Sequence, residues 1–249
     1  MIYLILTIGL LIGSFLNVCI YRIPENESIA YPPSHCPKCN TSLKSLDLIP
    51  IFSYLFNKGK CRYCREPIAL QYPIVELLNG IIYLLLYLKY GITIHFIKYA
   101  ILASLLIVIS FIDYKLQIIP DECNLFGLIV SGIFLICSNF SFASLTDAFV
   151  GLLVGGGIFL LIALITGAMG GGDIKLIGVL GFFFGWKHIL LITLLSFVIG
   201  AIISICLLIS KLKGRKDAIA FGPFIAIATL VTIFYKAEII DWYLTLVIG

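Results

Sequence analysis

The segment ILASLLIVISFID, residues 101–113, decides the fold of this chain, because twelve uncharged and mostly apolar residues run together and end at Asp113. The rest of the 249-residue sequence has the same character, with 61% hydrophobic and only 12% charged residues. Soluble domains carry about 25% charged residues. The composition therefore predicts an integral membrane protein, whose helices face both lipid and one another.

Eight apolar runs approach the length of a membrane span, which is about 20 residues, with a range of about 17–25. The first has no basic segment before it and no clean small-x-small cleavage site, so we expect a retained helix rather than a removed signal peptide. Glycines within the fifth run, Gly151 and Gly155 to Gly157, are interpreted as close helix-packing positions. The runs cover residues 2–21, 72–89, 93–112, 123–139, 145–167, 174–186, 188–210 and 220–236. The predicted fold class is an all-α polytopic membrane protein with about eight transmembrane helices.

The basic residues are concentrated in one set of connections. Most of the 17 Lys and Arg residues lie in the stretch 22–71, after the third run, at the start of the sixth run, and between the seventh and eighth. By the positive-inside rule these connections are cytoplasmic. Asp113 and Asp173 then emerge at the same cytoplasmic face of the membrane, and both chain termini lie on the opposite, non-cytoplasmic side. The formal net charge of +4 follows this membrane pattern and does not indicate a nucleic-acid partner.

A polar insertion, residues 22–71, separates the first run from the second. It contains two C-x2-C motifs, Cys36-Pro37-Lys38-Cys39 and Cys61-Arg62-Tyr63-Cys64. Four thiolates at this spacing resemble a structural zinc site, and metal binding supplies folding energy that so short a stretch lacks. Two disulfides are the alternative, but thiols stay reduced in the cytoplasm. We predict a cytoplasmic zinc-binding loop over 22–71, between a first transmembrane helix at 1–21 and a transmembrane domain at 72–249.

Two acidic residues stand at the ends of apolar runs. Asp113 follows the third run, and Asp173 follows three glycines, Gly170 to Gly172, before the sixth. An ionised carboxylate at bilayer depth costs about 2.5–3.5 kcal/mol, so acids retained there usually have a function. Two carboxylates that share a proton are able to split a peptide bond with water. The glycines would let the backbone approach a neighbour closely and adopt positive φ. The alternatives are a surface carboxylate paired with Lys115 and an N-cap at Asp173.

Two further acids have other interpretations. Asp121 follows Pro120 and suits the first turn of the fourth helix, so it is interpreted as a cap. Glu76 lies about one turn into the second span, where it is either functional or paired with a basic residue such as Arg22. These residues alone leave open an intramembrane aspartyl peptidase, a transporter with a proton or ion path, and a zinc-ribbon membrane scaffold.

Six segments, in order along nearly the whole chain, resemble the type IV prepilin peptidases, which are bifunctional leader peptidases and N-methyltransferases. One of them matches the G-x-G-D segment that this family shares in outline with presenilin-type proteases. The segments are Gly13 to Val18 with Tyr21 to Pro24, the paired C-x2-C loop, Tyr72 to Gly80, Ile112-Asp113 with Ile118 to Asp121, Gly170 to Leu176, and Phe221 to Phe224.

The resemblance implies that Asp113 and Asp173 are the catalytic pair. The substrate would be a membrane-inserted prepilin or pseudopilin, cut after a Gly at the cytoplasmic face of the bacterial inner membrane. Its new N-terminal amine would then be methylated from S-adenosylmethionine. The family places methyl transfer in the N-terminal half, where Asn17, Arg22 and Glu76 are hypothetical participants. The sequence leaves the cofactor-binding residues and the oligomeric state unassigned.

Overall fold

The computed structural model describes residues 1–137, 141–167, 169–212, 214 and 218–248. Within these residues the chain is helical, and its β pairing consists of two isolated bridges in the insertion 22–71. A 3₁₀-helix occupies Ser45–Leu48. The α-helices are α1 (Ile2–Arg22), α2 (Phe52–Phe56), α3 (Gln71–Tyr90), α4 (Ile94–Leu116), α5 (Asp121–Cys137), α6 (Phe142–Thr166), α7 (Gly171–Phe184), α8 (Trp186–Ile209) and α9 (Gly222–Ile248).

The predicted all-α polytopic fold is confirmed. α1 and α3 to α9 each overlap one of the eight predicted runs, although residues 138 and 139 of the fourth run lie outside the described residues. In the described part of the chain, α1, α3, α4, α6 and α8 are long and apolar enough to cross a membrane. α5 is shorter, at 17 residues. α9 is kinked at Tyr235, whose φ of −130° and ψ of 15° are not helical.

α7 is too short to cross a bilayer and is enclosed by protein. Its 14 residues extend about 21 Å, whereas the hydrocarbon core is about 30 Å thick. The residues from Leu176 to Gly181 are all buried, and a helix that is apolar on every side belongs in a protein interior. α5, α6 and α8 pack against it. Its first turn, which carries Asp173, is partly buried.

The chain divides into two compact units, unit 1 (Met1–Val108) and unit 2 (Ile109–Gly249), and the boundary falls inside α4. Unit 1 contains the four-cysteine insertion. Unit 2 contains both Asp113 and Asp173, so the two predicted catalytic residues belong to the same packed body.

In unit 1, α1 packs on α3 through small residues and one buried amide. A Cβ at Gly9 would lie 2.8 Å from the Cα of Gly80, and one at Gly13 would lie 2.7 Å from the Cα of Glu76. Only glycine permits this approach. Asn79 donates a hydrogen bond from Nδ2 to the Gly9 carbonyl oxygen at 2.7 Å. The contact therefore combines close backbone packing with a satisfied polar group, as hydrocarbon surroundings require.

In unit 2, α6 packs on α7 through glycines. A Cβ on Gly151 would overlap the carbonyl oxygen of Gly181, and the reverse is also true. A Cβ on Gly155 would lie 2.9 Å from the carbonyl oxygen of Ile177. No heavy atom, however, comes within 4 Å of the Cβ position of Gly157. The close-packing interpretation is thus confirmed for Gly151 and Gly155 and wrong for Gly157.

Replacing Gly151 by Ala is expected to destabilise unit 2 by about 1–3 kcal/mol, because the added methyl group overpacks the contact with α7. Gly157→Ala is the matched control in the same helix, and its methyl group meets open space. Thermal unfolding in one detergent measures both variants. Equal melting temperatures for the two would contradict the described packing.

Candidate active site and candidate metal centre

Asp113 lies near the C-terminal end of α4 and is 5% exposed. Its Oδ2 accepts a hydrogen bond from the backbone N–H of Gly222, the first residue of α9, at 2.7 Å. A Cβ at Gly222 would lie 2.8 Å from that oxygen, so the contact requires glycine. The expected pairing with Lys115 does not occur among the ion pairs of the described residues. A backbone donor from a helix start, rather than a basic side chain, holds this carboxylate.

Asp173 lies in the first turn of α7, but it is not the N-cap. Gly170 occupies that position, with φ −72° and ψ 146°, so the N-cap interpretation of Asp173 is wrong. A carboxylate in the first turn still faces the positive end of the helix dipole. Its Oδ1 is buried and has no hydrogen-bond partner among the described residues. Buried polar atoms are rarely left in this state, which marks the carboxyl as a functional candidate.

The structure brings the two predicted catalytic residues together. Asp113 comes from α4 and Asp173 from α7, and their carboxyl groups lie close enough to interact electrostatically. The two groups are 60 positions apart in the sequence. Two carboxyl groups that lie side by side do not both ionise readily, and such a pair can hold one proton between them.

The three glycines before Asp173 have different roles. A Cβ at Gly172 would lie 2.8 Å from the Cβ of Ile119, whereas nothing lies within 4 Å of the Cβ position of Gly171. The expected positive φ does not occur in this triplet. The left-handed residue is Gly167, with φ 64°, which ends α6. Close approach at Gly172, rather than an unusual backbone angle, brings the start of α7 against the residues that precede α5.

Asp121 lies in the first turn of α5, as the sequence indicated, but it also has a partner that the sequence did not reveal. Lys175 Nζ lies 2.7 and 2.8 Å from its two carboxylate oxygens. Both side chains are more than half exposed, and exposed pairs of this kind are worth about 0–1 kcal/mol. The pair lies at the starts of α5 and α7 and is expected to contribute little to stability.

Four cysteines converge in the insertion. The Sγ atoms of Cys36, Cys39, Cys61 and Cys64 all lie within 4.8 Å of one another. Cys36 Sγ and Cys64 Sγ are 3.8 Å apart. Tetrahedral zinc with Zn–S bonds of about 2.3 Å requires an S···S separation of about 3.8 Å, whereas a disulfide requires about 2.05 Å. The thiols are unpaired and fit a structural zinc ion. Four thiolate ligands leave no open position for catalysis.

The two C-x2-C motifs, here called the first knuckle (Cys36 to Cys39) and the second knuckle (Cys61 to Cys64), have the same pattern of backbone hydrogen bonds. This shared pattern explains why their sulfur atoms converge. In the first, Cys36 N–H donates to Thr41 O, and Asn40 N–H donates to Cys36 O. In the second, Cys61 N–H donates to Glu66 O, and Arg65 N–H donates to Cys61 O. Asn40 and Arg65 both have positive φ, at 53° and 63°. Each motif therefore forms the same tight turn, which presents its two sulfurs on one side.

Asp47 connects the 3₁₀-helix to the second knuckle through side-chain contacts. Its side chain is 6% exposed. Oδ2 accepts hydrogen bonds from the Tyr63 hydroxyl at 2.9 Å and the Lys44 N–H at 3.1 Å, and Arg62 Nη1 lies 3.6 Å from Oδ1. Burial raises the pKa of the Asp47 carboxyl, but these contacts outweigh burial and hold the pKa below its ordinary value. The sequence alone did not reveal this role.

The three residues considered for methyl transfer all contact backbone groups of the protein. Asn17 Nδ2 donates to Tyr72 O at 3.1 Å. Arg22 donates to two carbonyl oxygens of the insertion, at 2.8 and 2.7 Å. Glu76 Oε2 accepts the Ile51 N–H at 2.7 Å rather than pairing with Arg22. These contacts connect the insertion to α1 and α3, and they favour positioning roles.

Comparison with known proteins agrees with this geometry. A model of the bacterial peptidase A24 N-terminal domain matches residues 7–90, which include the cysteines. A model of the type IV leader peptidase family matches residues 100–205, which include both aspartates. No solved structure matches the chain.

Curated relatives match along the full length of the chain. The prepilin leader peptidase/N-methyltransferase of Bacillus subtilis (strain 168) is 32% identical over 253 residues, covering 100% of each chain. That of Aeromonas hydrophila is 32% identical over 97% of this chain and 93% of the relative. That of Pseudomonas putida is 32% identical over 93% and 90%. The chain therefore belongs to the type IV leader peptidase family and is a peptidase with methyltransferase activity.

Proposed function

We propose that this chain removes the leader of a prepilin or pseudopilin by a two-aspartate mechanism and then methylates the new N-terminus. The relatives' names supply the substrate class. The observation that carries the mechanism is that Asp113 and Asp173 lie in unit 2 within electrostatic range of each other, with a buried Asp173 oxygen that has no partner among the described residues. A scaffold would not require that arrangement, and a transporter would be expected to show repeat halves with paired broken spans, which the sequence does not display.

The chemistry follows from the shared proton. The ionised member of the pair takes a proton from water, and the protonated member donates a hydrogen bond to the scissile carbonyl oxygen. The oxygen of that water adds to the carbonyl carbon and forms a tetrahedral intermediate. The intermediate then collapses as the C–N bond breaks and a proton passes to the leaving amine. The Gly222 N–H supports negative charge on Asp113 Oδ2, since a hydrogen bond to a charged oxygen is stronger than one to a neutral oxygen. The proton belongs to the pair as a unit.

Methyl transfer requires a neutral amine held in line with the donor. When bound, S-adenosylmethionine supplies the methyl group. Backbone groups already form hydrogen bonds with the side chains of Asn17, Arg22 and Glu76. We therefore assign no residues to the S-adenosylmethionine site. We place the reaction at the cytoplasmic face of the bacterial inner membrane, on the basis of the positive-inside pattern.

Asp113→Asn and Asp173→Asn are each expected to lower prepilin cleavage by about 10²–10⁴-fold or more, because an Asn side chain cannot act as a general acid or base near neutral pH. Asp121→Asn is the control, since its carboxylate is exposed and paired with Lys175, and it should retain cleavage. Mass spectrometry of a co-expressed prepilin reports both cleavage and methylation. Normal cleavage by either of the first two variants would refute the mechanism.

Gly172→Ala is expected to impair cleavage, because its methyl group would displace Ile119 or the start of α7, and a shift of about 1 Å at an active site can cost about 10²-fold. Gly171→Ala adds the same group one residue earlier, where space is open. It should cleave at nearly the normal rate. Equal rates for the two variants would contradict the proposed role of the Gly172 contact.

We also propose that Cys36, Cys39, Cys61 and Cys64 hold a structural zinc ion. Purified protein should contain about one zinc ion per chain, and Cys61→Ser should lower that content. Cys206→Ser, at an exposed position of α8, should leave the content unchanged. Elemental analysis measures both, and unchanged zinc in Cys61→Ser would exclude this ligand set.

A further inference from the structure

Part of the predicted cytoplasmic loop has the surface of a membrane-inserted segment. Between the 3₁₀-helix and the end of α2, residues 48–56 expose large apolar side chains. Phe52 is 55% exposed, Leu55 63% and Phe56 83%. A contiguous apolar patch of this kind on a water-facing loop marks a surface that meets another apolar phase.

The depth of this segment follows from its contact with α1. The 21 residues of α1 extend about 31 Å, which just spans a hydrocarbon core of about 30 Å. A cleft of about 330 Å³ is lined by Leu10 and Leu11 of α1 together with Leu48, Ile49 and Phe52. Leu11 lies about 17 Å along the helix axis from Arg22. The loop therefore reaches α1 well below the helix end from which it departs.

The backbone of the segment is suited to that depth. Unsatisfied N–H groups are not tolerated in hydrocarbon. Ser53 N–H donates to Ile49 O at 3.0 Å, and Leu55 N–H donates to Ile51 O at 3.0 Å. Pro50 has no N–H to satisfy. The N–H of Ile51, a residue with φ 62°, donates to the buried Glu76 carboxylate at 2.7 Å.

The flanking charges fit lipid headgroups. Lys44 precedes the segment, and Lys58 and Lys60 follow it. Basic residues at the ends of a membrane-inserted segment remain at the interface, where they attract anionic headgroups. The exposed side chains of Leu4, Ile8 and Leu11 continue the apolar surface along α1, so the segment extends a lipid-facing surface.

We propose that residues 48–56 form a re-entrant segment, which enters the bilayer beside α1 and α3 and contacts lipid acyl chains. Glu76 acts as a positioning residue, because it satisfies the Ile51 N–H at the turn of the segment. The Asp47 contacts with Arg62 and Tyr63 then hold the second zinc knuckle against the membrane surface. This arrangement does not depend on the reaction proposed above.

Tryptophan quenching in vesicles tests the insertion. Trp186 and Trp242, the two tryptophans of the chain, are replaced by Phe, and Phe52→Trp or Phe56→Trp is introduced. The vesicles contain phosphatidylglycerol and phosphatidylethanolamine with bromine at the middle of the acyl chains. Both reporters should show blue-shifted emission and a several-fold greater loss of emission with bromolipid than a Lys38→Trp control in the first knuckle. Aqueous iodide should quench the control instead.

Quenching of positions 52 and 56 by iodide but not by bromolipid would overturn the proposal, and so would protection from both quenchers, which would mean that protein covers the segment. A second comparison tests the role of Glu76 with the Phe56→Trp reporter. Glu76→Gln keeps an acceptor for the Ile51 N–H and should retain bromolipid quenching, whereas Glu76→Ala should lose part of it. Equal quenching in the two variants would refute the positioning role of Glu76.

Discussion

The rest of the structure depends on one constraint: at bilayer depth, every backbone polar group must find its partner within the protein. Long apolar helices satisfy this constraint for most of the chain. Where these helices pack against one another, the chain supplies either a glycine that lets two backbones meet, as between α6 and α7, or a side chain that donates a hydrogen bond to a backbone carbonyl, as Asn79 does to Gly9.

Both units use a buried carboxylate at a point where a helix or turn begins. In unit 1, Glu76 accepts the N–H of Ile51 before α2. In unit 2, Asp113 accepts the N–H of Gly222 at the start of α9. The bonds have the same length, 2.7 Å, but the surroundings differ. Glu76 completes a turn, whereas Asp113 also has Asp173 as an electrostatic neighbour. The catalytic role proposed for Asp113 rests on that second carboxylate, which Glu76 lacks among its described contacts.

The four-cysteine knuckles and the proposed lipid-facing segment belong to one insertion, residues 22–71. The insertion is too small to bury a large apolar core. Its cysteines fix two identical turns, and the Asp47 carboxylate joins those turns to the 3₁₀-helix. The exposed apolar side chains beyond that helix have no protein core to enter. In the proposed arrangement, lipid and metal together supply the stabilisation that a soluble domain obtains from its own interior.

Composition and spacing alone determined the membrane class, the apolar helices and the cysteine set, and they singled out Asp113 and Asp173 as candidates, because hydropathy and motif spacing are local properties. The sequence did not determine which contacts these residues make. It suggested an N-cap for Asp173, a Lys115 partner for Asp113 and an Arg22 partner for Glu76. The structure has a glycine N-cap and backbone donors from Gly222 and Ile51 instead. Those partners lie up to 109 residues away, and only the packing of helices decides which backbone N–H comes within reach of a carboxylate.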